Sequence, residues 1–180
     1  MNNNQFVILV NGNDEAVGKM EKMEAHKKGL LHRAFSVFIF NRKGEMLLQR
    51  RALNKYHSGG LWTNACCSHP FPGEDARQGA VRRLNEELGF ETPVQKAFEF
   101  IYRSEYSNGL AEHEFDHVFA GEYNGPINGN PEEVCDFCYK DLDDIRQSLV
   151  THPEKFTTWF HIAFPKIETW WNEYYRPLVA

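Results

Sequence analysis

The stretch from Gly73 to Phe90 reads GEDARQGAVRRLNEELGF, and it predicts the clearest helix of the chain, over residues 75–88. Five apolar residues recur there at the spacing of one helix face: Ala76, Ala80, Val81, Leu84 and Leu88. Gly89 follows at the position where helices commonly end in a left-handed residue. Arg82 with Glu86, and Arg83 with Glu87, lie one turn apart. Taken alone, such pairs indicate a solvated charged face.

Glu74 and the run RRLNEELGF support a second interpretation of this helix. Together they resemble the Nudix box, in which a glycine and a glutamate precede an Arg-Glu-apolar-x-Glu-Glu-x-Gly-apolar run. Carboxylates clustered in this way hold a hard divalent ion that bridges to a diphosphate. Two positions depart from the motif, because its first glycine falls on Ser68 and one of its glutamates is replaced by Arg83. The missing carboxylate weakens the case for diphosphate hydrolysis and leaves the case for diphosphate binding.

The composition is that of a globular protein of 180 residues with a net charge of −5 and a pI of about 5.9. Nothing in this charge favours nucleic acid as a partner. The longest uncharged apolar run, residues 34–40, is too short to span a bilayer. The start, MNNNQFVILVNG, lacks the features of a signal peptide, and four cysteines without such a signal are typical of reduced thiols. We expect a cytoplasmic protein that binds no membrane, with one domain over 1–180 and its core at about 30–165; a monomer is favoured.

Strand and helix signals follow one another without strict alternation. Residues 6–10 predict a short strand closed by an NGND turn, and NRKG predicts a hairpin between residues 35–40 and 46–49. Strands are also predicted over residues 97–106 and 112–122, and helices over 142–150 and 164–175. The fold class that follows is α/β of the α+β type, a mixed β-sheet sandwiched by helices.

The predicted strand AEHEFDHVF carries two carboxylates on one face. Because strand side chains alternate, Glu112 and Glu114 share a face with Val118, while His113, Phe115 and His117 share the other. Because valine is apolar, carboxylates on the same face as Val118 suggest a partly buried site. A bound metal commonly compensates the charge of buried carboxylates. The alternative is an exposed edge strand with scattered charge.

Histidine placement allows a metal site of mixed nitrogen and oxygen ligands. His26, His32 and His69, added to the two glutamates, would suit a transition metal such as Zn or Mn. A histidine taken alone is more often a surface or hydrogen-bonded residue than a ligand, and no H-x-x-x-H spacing forces these three together.

The four cysteines form two groups in the sequence. Cys135 and Cys138 make a C-x-x-C, which with a second such pair would indicate structural zinc, but Cys66 and Cys67 are adjacent and ill-suited to complete it. Cys67 precedes Ser68 and His69, where the charge of a nearby metal would favour its thiolate. Cys67 is therefore the candidate reactive thiol.

Five segments, in order, are similar to those of type I isopentenyl-diphosphate isomerases: LHRAFSVFIF, QRRALNKYHSGGLWTNACCSHP, RRLNEELGF, YRSEYSNGLAEHE and FTTWF. The resemblance runs from about Phe6 to the aromatic C-terminal helix. It implies a Nudix fold and a 1,3-proton shift that converts isopentenyl diphosphate, a small-molecule substrate, to dimethylallyl diphosphate in isoprenoid biosynthesis. The diphosphate is not cleaved, which agrees with the two departures from the hydrolase box.

The resemblance also implies the residues that bind metal and diphosphate. The implied ligands of an Mn²⁺, Zn²⁺ or Mg²⁺ ion are His26, His32, His69, Glu112 and Glu114. Glu87 matches the carboxylate that holds a second ion, Mg²⁺, against the diphosphate. The implied diphosphate contacts are Lys22, Arg51, Lys55 and Ser68, with Arg83 as a further one.

The same resemblance implies the groups that act on the alkene. Cys67 matches the catalytic cysteine, and Cys66 is expected to pack in the core. Glu114, assisted by Tyr102, is the candidate acid at the terminal methylene. Trp159 in FTTWF matches the tryptophan that lies over the hydrocarbon and stabilises a carbocation.

Three other functions fit the sequence less well than isopentenyl-diphosphate isomerisation. A Nudix diphosphate hydrolase is the main alternative, and Arg83 in place of a carboxylate argues against it. A catalytically silent binding module would have no reason to keep Cys67, Tyr102, Glu114 and Trp159 together. A flavin-dependent isomerase is disfavoured because the sequence contains no G-x-G-x-x-G.

Overall fold

A computed structural model describes residues 6–175 of the chain. The domain predicted over 1–180 includes residues 1–5 and 176–180, which lie outside the described residues. The first five residues of MNNNQFVILVNG, the start that lacks the features of a signal peptide, lie outside them as well. The strands are β1 (Phe6–Val10), β2 (Ala16–Glu21), β3 (His32–Phe40), β4 (Met46–Arg51), β5 (Trp62–Thr63), β6 (Cys66–Ser68), β7 (Val94–Glu105), β8 (Ala111–Glu122) and β9 (Val134–Lys140). The α-helices are α1 (Lys22–Lys28), α2 (Ala76–Leu88), α3 (Leu142–Thr151) and α4 (Thr158–Trp170), followed by a π-helical turn at Trp171–Tyr175. None of the described helices has the length and apolar character needed to cross a membrane.

Strand β3 is the centre of the sheet. It pairs in parallel with β8 over nine residues, from His32 opposite Glu114 to Phe40 opposite Glu122. On its other side it pairs antiparallel with β6, where Ser36 lies opposite Cys67. Strand β8 pairs antiparallel with β7, and β4 pairs with β5 and β9. The sheet is therefore mixed, as the sequence predicted.

Two hydrophobic clusters cover the two faces of the sheet. One joins α2, through Ala80, Leu84 and Leu88, to residues of β3, β4 and β6. The other joins α3 and α4, through residues such as Ile145 and Phe160, to the opposite face. Helices thus sandwich a mixed sheet, which confirms the predicted fold class.

Helix α2 begins and ends as its sequence indicates. Asp75 precedes the first turn, and its carboxylate accepts hydrogen bonds from the backbone N–H groups of Arg77 and Gln78. Gly89 ends the helix with a φ of 71°, a conformation that favours glycine. A Cβ atom at Gly89 would also lie 2.7 Å from the carbonyl oxygen of Asn128. The position therefore excludes other residues for two separate reasons.

Two predicted elements differ from the structure. The NRKG turn does join β3 to β4, but the two strands pair only at Phe40 and Met46, so the predicted hairpin is wrong beyond the turn. The strands diverge because β3 pairs with β6 and β8, whereas β4 pairs with β5 and β9. The last helix begins at Thr158, not near residue 164, and Pro165 lies inside it. Its buried aromatic face holds this helix on the sheet despite the hydrogen bond that proline cannot donate.

Candidate active site

A cavity of about 140 Å³ is lined by residues of β4, β6, β7, β8, α1, α2 and α4 and of the loops between them. Strand β8 is on one side of β3 and β6 on the other, so Glu114 and Cys67 approach the cavity from opposite sides of the central strand. The lining side chains are Lys22, Gln49, Arg51, Lys55, Tyr56, His57, Cys67, Ser68, His69, Arg83, Glu87, Tyr102, Glu112, Glu114, Glu133 and Trp159. Most of the residues predicted from the sequence are therefore brought to one cavity. Larger surface grooves beside α3 and beside β7 are lined by other residues.

Four buried side chains converge beside this cavity. One ligand atom from each of His26, His32, His69 and Glu114 lies within 4.8 Å of the others. His69 Nε2 is 3.0 Å from Glu114 Oε1 and 3.2 Å from His32 Nε2. Each residue comes from a different element or loop, so the fold assembles a cluster that no local motif encodes. We call these four residues the histidine cluster.

Backbone carbonyls set the tautomers of two of these histidines. His26 Nδ1 lies 2.6 Å from the carbonyl oxygen of Lys22, and His32 Nδ1 lies 2.8 Å from that of Leu30. A carbonyl accepts, so each Nδ1 carries the hydrogen and each Nε2 keeps its lone pair. His26 Nε2 is buried and has no hydrogen-bond partner among the described residues. Such an oriented lone pair, with the other nitrogen bonded to a carbonyl, is the usual arrangement of a metal-binding histidine.

The protonation states of the histidine cluster also suit a cation. Burial lowers the pKa of His69 to about 3, so that its ring is neutral at neutral pH. Burial alone would raise the pKa of the Glu114 carboxyl, but the imidazoles of His32, at 3.6 Å, and His69, at 3.0 Å, hold that pKa well below the ordinary value. Neutral imidazole and ionised carboxylate are the forms that bind a divalent metal. The donor set therefore fits the metal site expected from the sequence.

Glu112 lies next to the histidine cluster and has different neighbours. Its Oε2 accepts hydrogen bonds from the hydroxyls of Tyr102, at 3.1 Å, and Tyr106, at 2.7 Å. Its Oε1 lies 3.0 Å from His57 Nε2. The Tyr102 hydroxyl is also 2.7 Å from Glu114 Oε2, so this phenol bridges the two carboxylates. The role of Glu112 as a metal ligand stays a prediction.

Cys67 is held on the opposite side of β3. Its Sγ donates to Asn64 Oδ1 at 3.1 Å and lies 3.4 Å from the hydroxyl of Ser36. Both N–H groups of the Asn64 amide are bound to carbonyls, those of Val37 and Cys66, so its oxygen must face the thiol. Burial raises the pKa of Cys67 above its ordinary value. The described residues by themselves favour the thiol, and the thiolate, which depends on the charge of a nearby metal, stays a prediction.

The cationic side chains expected to bind diphosphate also line the cavity. Lys22 comes from the first turn of α1, and burial lowers the pKa of its ammonium group. Lys55 forms an ion pair with Glu133, which also lies 3.3 Å from Arg83. Ser68 lines the same cavity.

Glu87 lies at the α2 edge of the cavity with both of its oxygens engaged. Its Oε1 accepts from Arg83 at 2.5 Å, and its Oε2 accepts from Gln49 at 2.8 Å. The ion pairs of Arg83 with Glu87 and Arg82 with Glu86, predicted from the helix spacing, are both present. Glu87 as a Mg²⁺ ligand stays a prediction.

Trp159 closes the side of the cavity formed by α4. The residue is 3% exposed, and the Arg51 guanidinium carbon lies 5.2 Å from the centre of its ring. The ring therefore already attracts a cation through its face. A tryptophan in this position can stabilise positive charge that develops nearby.

Sequence reasoning missed several polar residues of this region. Asp116 lies on the same face of β8 as Glu112 and Glu114, and the period of two that selected the glutamates could have found it. His57, Tyr106, Gln49 and Glu133 carry no comparable signal, because loops and separate strands bring them to the site. Cys135 and Cys138 line no part of the cavity, and all four cysteines are free thiols. Cys66 is buried in the core cluster beside α2.

The chain is similar to known proteins over most of its length. A family model described as NUDIX domain matches residues 30–160. A protein of Pectobacterium atrosepticum named isopentenyl-diphosphate Delta-isomerase is 48% identical over 168 residues, which cover 93% of this chain and 94% of that protein. A protein of the same name from Serratia proteamaculans is 46% identical over 156 residues, 87% of each chain.

Solved structures share the fold at low sequence identity. A Deinococcus radiodurans protein superposes with a TM-score of 0.68 at 18% identity, covering 82% of this chain and 90% of that protein. A MutT protein of Methanosarcina mazei superposes with a TM-score of 0.64 at 21% identity, covering 77% and 94%. At these identities the similarity bears on the fold alone.

We predict that the purified protein retains close to one equivalent of Zn²⁺, Mn²⁺ or Mg²⁺, and that His69→Ala loses it. His69 Nε2 is at the centre of the histidine cluster, so its removal leaves too few ligands for tight binding. Elemental analysis after gel filtration measures the metal content. His152→Ala, which changes an exposed histidine at the end of α3, is the control and should retain the metal. A metal-free wild-type protein with full activity would contradict the prediction.

Proposed function

Since the chain belongs to the isopentenyl-diphosphate Delta-isomerases, a family of NUDIX domain proteins, we propose that the cavity described above is where isopentenyl diphosphate and dimethylallyl diphosphate are interconverted. The family assignment confirms the resemblance found in the sequence. The observation that carries the proposal is the placement of two proton-carrying groups, Cys67 and the Tyr102–Glu114 pair, on opposite sides of β3. A 1,3-proton shift needs one group that gives a proton and another that takes one.

The diphosphate end of the substrate is assigned to the basic part of the cavity. Lys22, Arg51 and Lys55 offer charge-assisted hydrogen bonds, and Ser68 offers a hydroxyl. The present volume, about 140 Å³, is below the roughly 300 Å³ of small ligand pockets, so long side chains must move to admit the substrate. Arg51 and Lys55, which now contact Trp159 and Glu133, are the groups that we expect to turn toward the phosphates.

The hydrocarbon end then lies between Cys67, Tyr102, Glu114 and the ring of Trp159. Starting from isopentenyl diphosphate, a proton from the Tyr102–Glu114 pair adds to the terminal methylene, and the alkene electrons form the new C–H bond. The tertiary cation that results lies against Trp159. Cys67 removes a proton from the carbon next to the one that bears the diphosphate, and the electrons of that C–H bond form the new double bond. The substrate gains one proton and loses one, and no bond to phosphorus changes.

The pKa shifts of Cys67 and Glu114 indicate from which of the two diphosphates the described protonation state can start the reaction. Burial raises the pKa of Cys67, and the neighbouring imidazoles of His32 and His69 keep the pKa of Glu114 low. A protonated thiol with an ionised carboxylate is the state that starts the reaction from dimethylallyl diphosphate. Microscopic reversibility requires the opposite state for the forward reaction, so one proton must return across the site in each net cycle.

Two divalent ions complete the proposal. The residues that would hold the first are His26, His32, His69 and Glu114, with Glu112 beside them; Glu87 would hold Mg²⁺ against the diphosphate. When bound, the ions supply positive charge that neutralises the diphosphate and fixes the carboxylates. The protein needs no flavin in this scheme.

The cellular setting and assembly state are also part of the proposal. We infer a cytoplasmic enzyme that works as a monomer in one domain over 1–180, with a core of about 30–165. Four free thiols suit a reducing compartment. The range matched by the family model, residues 30–160, lies close to this core.

Turnover of isopentenyl diphosphate with Mg²⁺ tests the function directly. We expect dimethylallyl diphosphate as the product and no release of phosphate, since Arg83 occupies a position where the hydrolase box has a carboxylate. Phosphorus NMR separates the two outcomes in one sample. Release of phosphate without isomerisation would identify a Nudix hydrolase instead.

We predict that Cys67→Ala lowers turnover by at least about 100-fold, the scale of a lost acid–base group, whereas Cys66→Ala keeps most of it. The two neighbours differ in direction: Cys67 faces Ser36 and the cavity, and Cys66 packs beside α2. Cys66→Ala should lower the free energy of unfolding by about 1 kcal/mol, because it shortens a buried side chain of the core. Steady-state rates and thermal unfolding measure both effects. Equal loss of activity in the two variants would reject the assignment.

We predict that Trp159→Leu lowers kcat by roughly 30-fold, because a desolvated cation–π interaction contributes about 2 kcal/mol. Trp159→Phe should retain more activity, since phenylalanine keeps a weaker ring face at a similar depth. Binding of an unreactive diphosphate analogue should change little in either variant, because positive charge on the hydrocarbon exists only along the reaction path. Full turnover by Trp159→Leu would show that the ring is only a wall of the cavity.

A further inference from the structure

A tight loop between β4 and β5 brings His57 into the cavity. Ser58 has a φ of 52°, unusual for a residue with a side chain, and a Cβ at Gly59 would lie 2.6 Å from the carbonyl oxygen of Leu53. Two hydrogen bonds hold the backbone of this loop: Asn108 donates to the carbonyl of Tyr56 at 3.2 Å, and Arg51 donates to the carbonyl of His57 at 3.3 Å. A loop held in this way fixes the direction of the side chain between its ends.

The imidazole of His57 is enclosed by aromatic rings. It stacks on Tyr106 with 4.6 Å between ring centres and 11° between ring planes. It also makes edge contacts with Tyr56 at 4.4 Å and with Trp159 at 5.9 Å. The side chain is 3% exposed, so its nitrogens must find their partners inside the protein.

One of these nitrogens faces the free oxygen of Glu112. Nε2 lies 3.0 Å from Glu112 Oε1, close enough for a hydrogen bond, although the ring is turned away from the ideal direction and forms none. The other oxygen of Glu112 is already bound by Tyr102 and Tyr106. His57 therefore approaches Glu112 in two ways, through the close contact of Nε2 with Oε1 and through the ring of Tyr106, whose hydroxyl binds Oε2.

We propose that His57 is a positioning residue of the isomerase reaction, which holds Glu112 so that the Tyr102 hydroxyl stays aimed at Glu114. The inference rests on the proposed function and adds a residue to it. The Tyr102 hydroxyl has one proton and two carboxylates in reach, Glu114 at 2.7 Å and Glu112 at 3.1 Å. If Glu112 turns, the balance between these two acceptors changes, and with it the delivery of the proton to the alkene.

Two substitutions separate the support given by the nitrogen from that given by the ring. His57→Phe keeps a flat ring to stack on Tyr106 and removes Nε2. His57→Gln gives up the stack and places an amide N–H near the position of Nε2. His152→Phe, at an exposed site on the end of α3, controls for an added phenylalanine.

We expect His57→Phe to lower kcat by about tenfold or more, the usual effect of losing the partner of a ligating or catalytic carboxylate. KM should change little, because His57 does not belong to the cationic set assigned to the diphosphate. His57→Gln should recover most of the loss. Wild-type kcat in His57→Phe, or equal losses in the two variants, would overturn the proposal.

A second measurement does not depend on turnover. With 3-fluorotyrosine placed at Tyr102, the fluorine resonance should shift in His57→Phe and stay near the wild-type position in His57→Gln and His152→Phe. An unchanged resonance in His57→Phe contradicts the positioning role even if the wild-type protein isomerises its substrate. A shifted resonance in a protein that does not isomerise would uphold the positioning of Tyr102 and reject the proposed function. If His57→Phe does not fold, the resonance in His57→Gln decides, and a large shift there overturns the proposal.

Discussion

The parallel pairing of β3 with β8 is the constraint on which the site depends. Because His32 pairs with Glu114, the first residue of one strand fixes the position of a carboxylate on the other. A slip of one residue would turn Glu112, Glu114 and Asp116 to the opposite face of the sheet. The hydrophobic residues further along the two strands, such as Phe38 and Val118, prevent such a slip because they are buried on the α4 side. The core thus sets the register, and the register sets the site.

The second feature of the site is the burial of its carboxylates, whose charges need partners inside the protein. Glu112, Glu114 and Asp116 are all buried, and charged groups in such surroundings require partners. Tyrosine hydroxyls, imidazoles and the Ser36 hydroxyl supply them at 2.7–3.1 Å. Burial and the neighbouring Glu114 also raise the pKa of Asp116 well above its ordinary value, which favours its neutral form. In the proposed reaction the same buried surroundings would shield the carbocation from water, so the property that makes the carboxylates costly would also serve the chemistry.

The sequence predicted this site where local periodicity or an extended motif carried the information. The period of two in β8 gave the buried face of Glu112 and Glu114, and the helical period gave α2 and its ion pairs. Periodicity could not show that β3 and β4 diverge after one residue pair, because strand pairing depends on partners far along the chain. For the same reason His57, Gln49 and Glu133 were missed. The thiolate predicted at Cys67 depends on the charge of a nearby metal, whereas burial among the described residues raises the pKa of that thiol.

The replacement at Arg83 agrees with the proposal that the chemistry takes place at the far end of the cavity from α2. The guanidinium of Arg83 binds Glu86 and Glu87 and lies close to Glu133, so the carboxylates of this end are engaged by a cation. The second oxygen of Glu87 accepts from Gln49, whose amide also binds the carbonyl of Ala65. Glu87 would hold Mg²⁺ only through the lone pairs that these two hydrogen bonds leave free. A cluster so depleted of free carboxylate oxygens is poorly equipped to assemble several ions around an attacking water. The ligands with free lone pairs lie instead in the histidine cluster, next to Tyr102, where the proposed reaction transfers a proton and not a phosphoryl group.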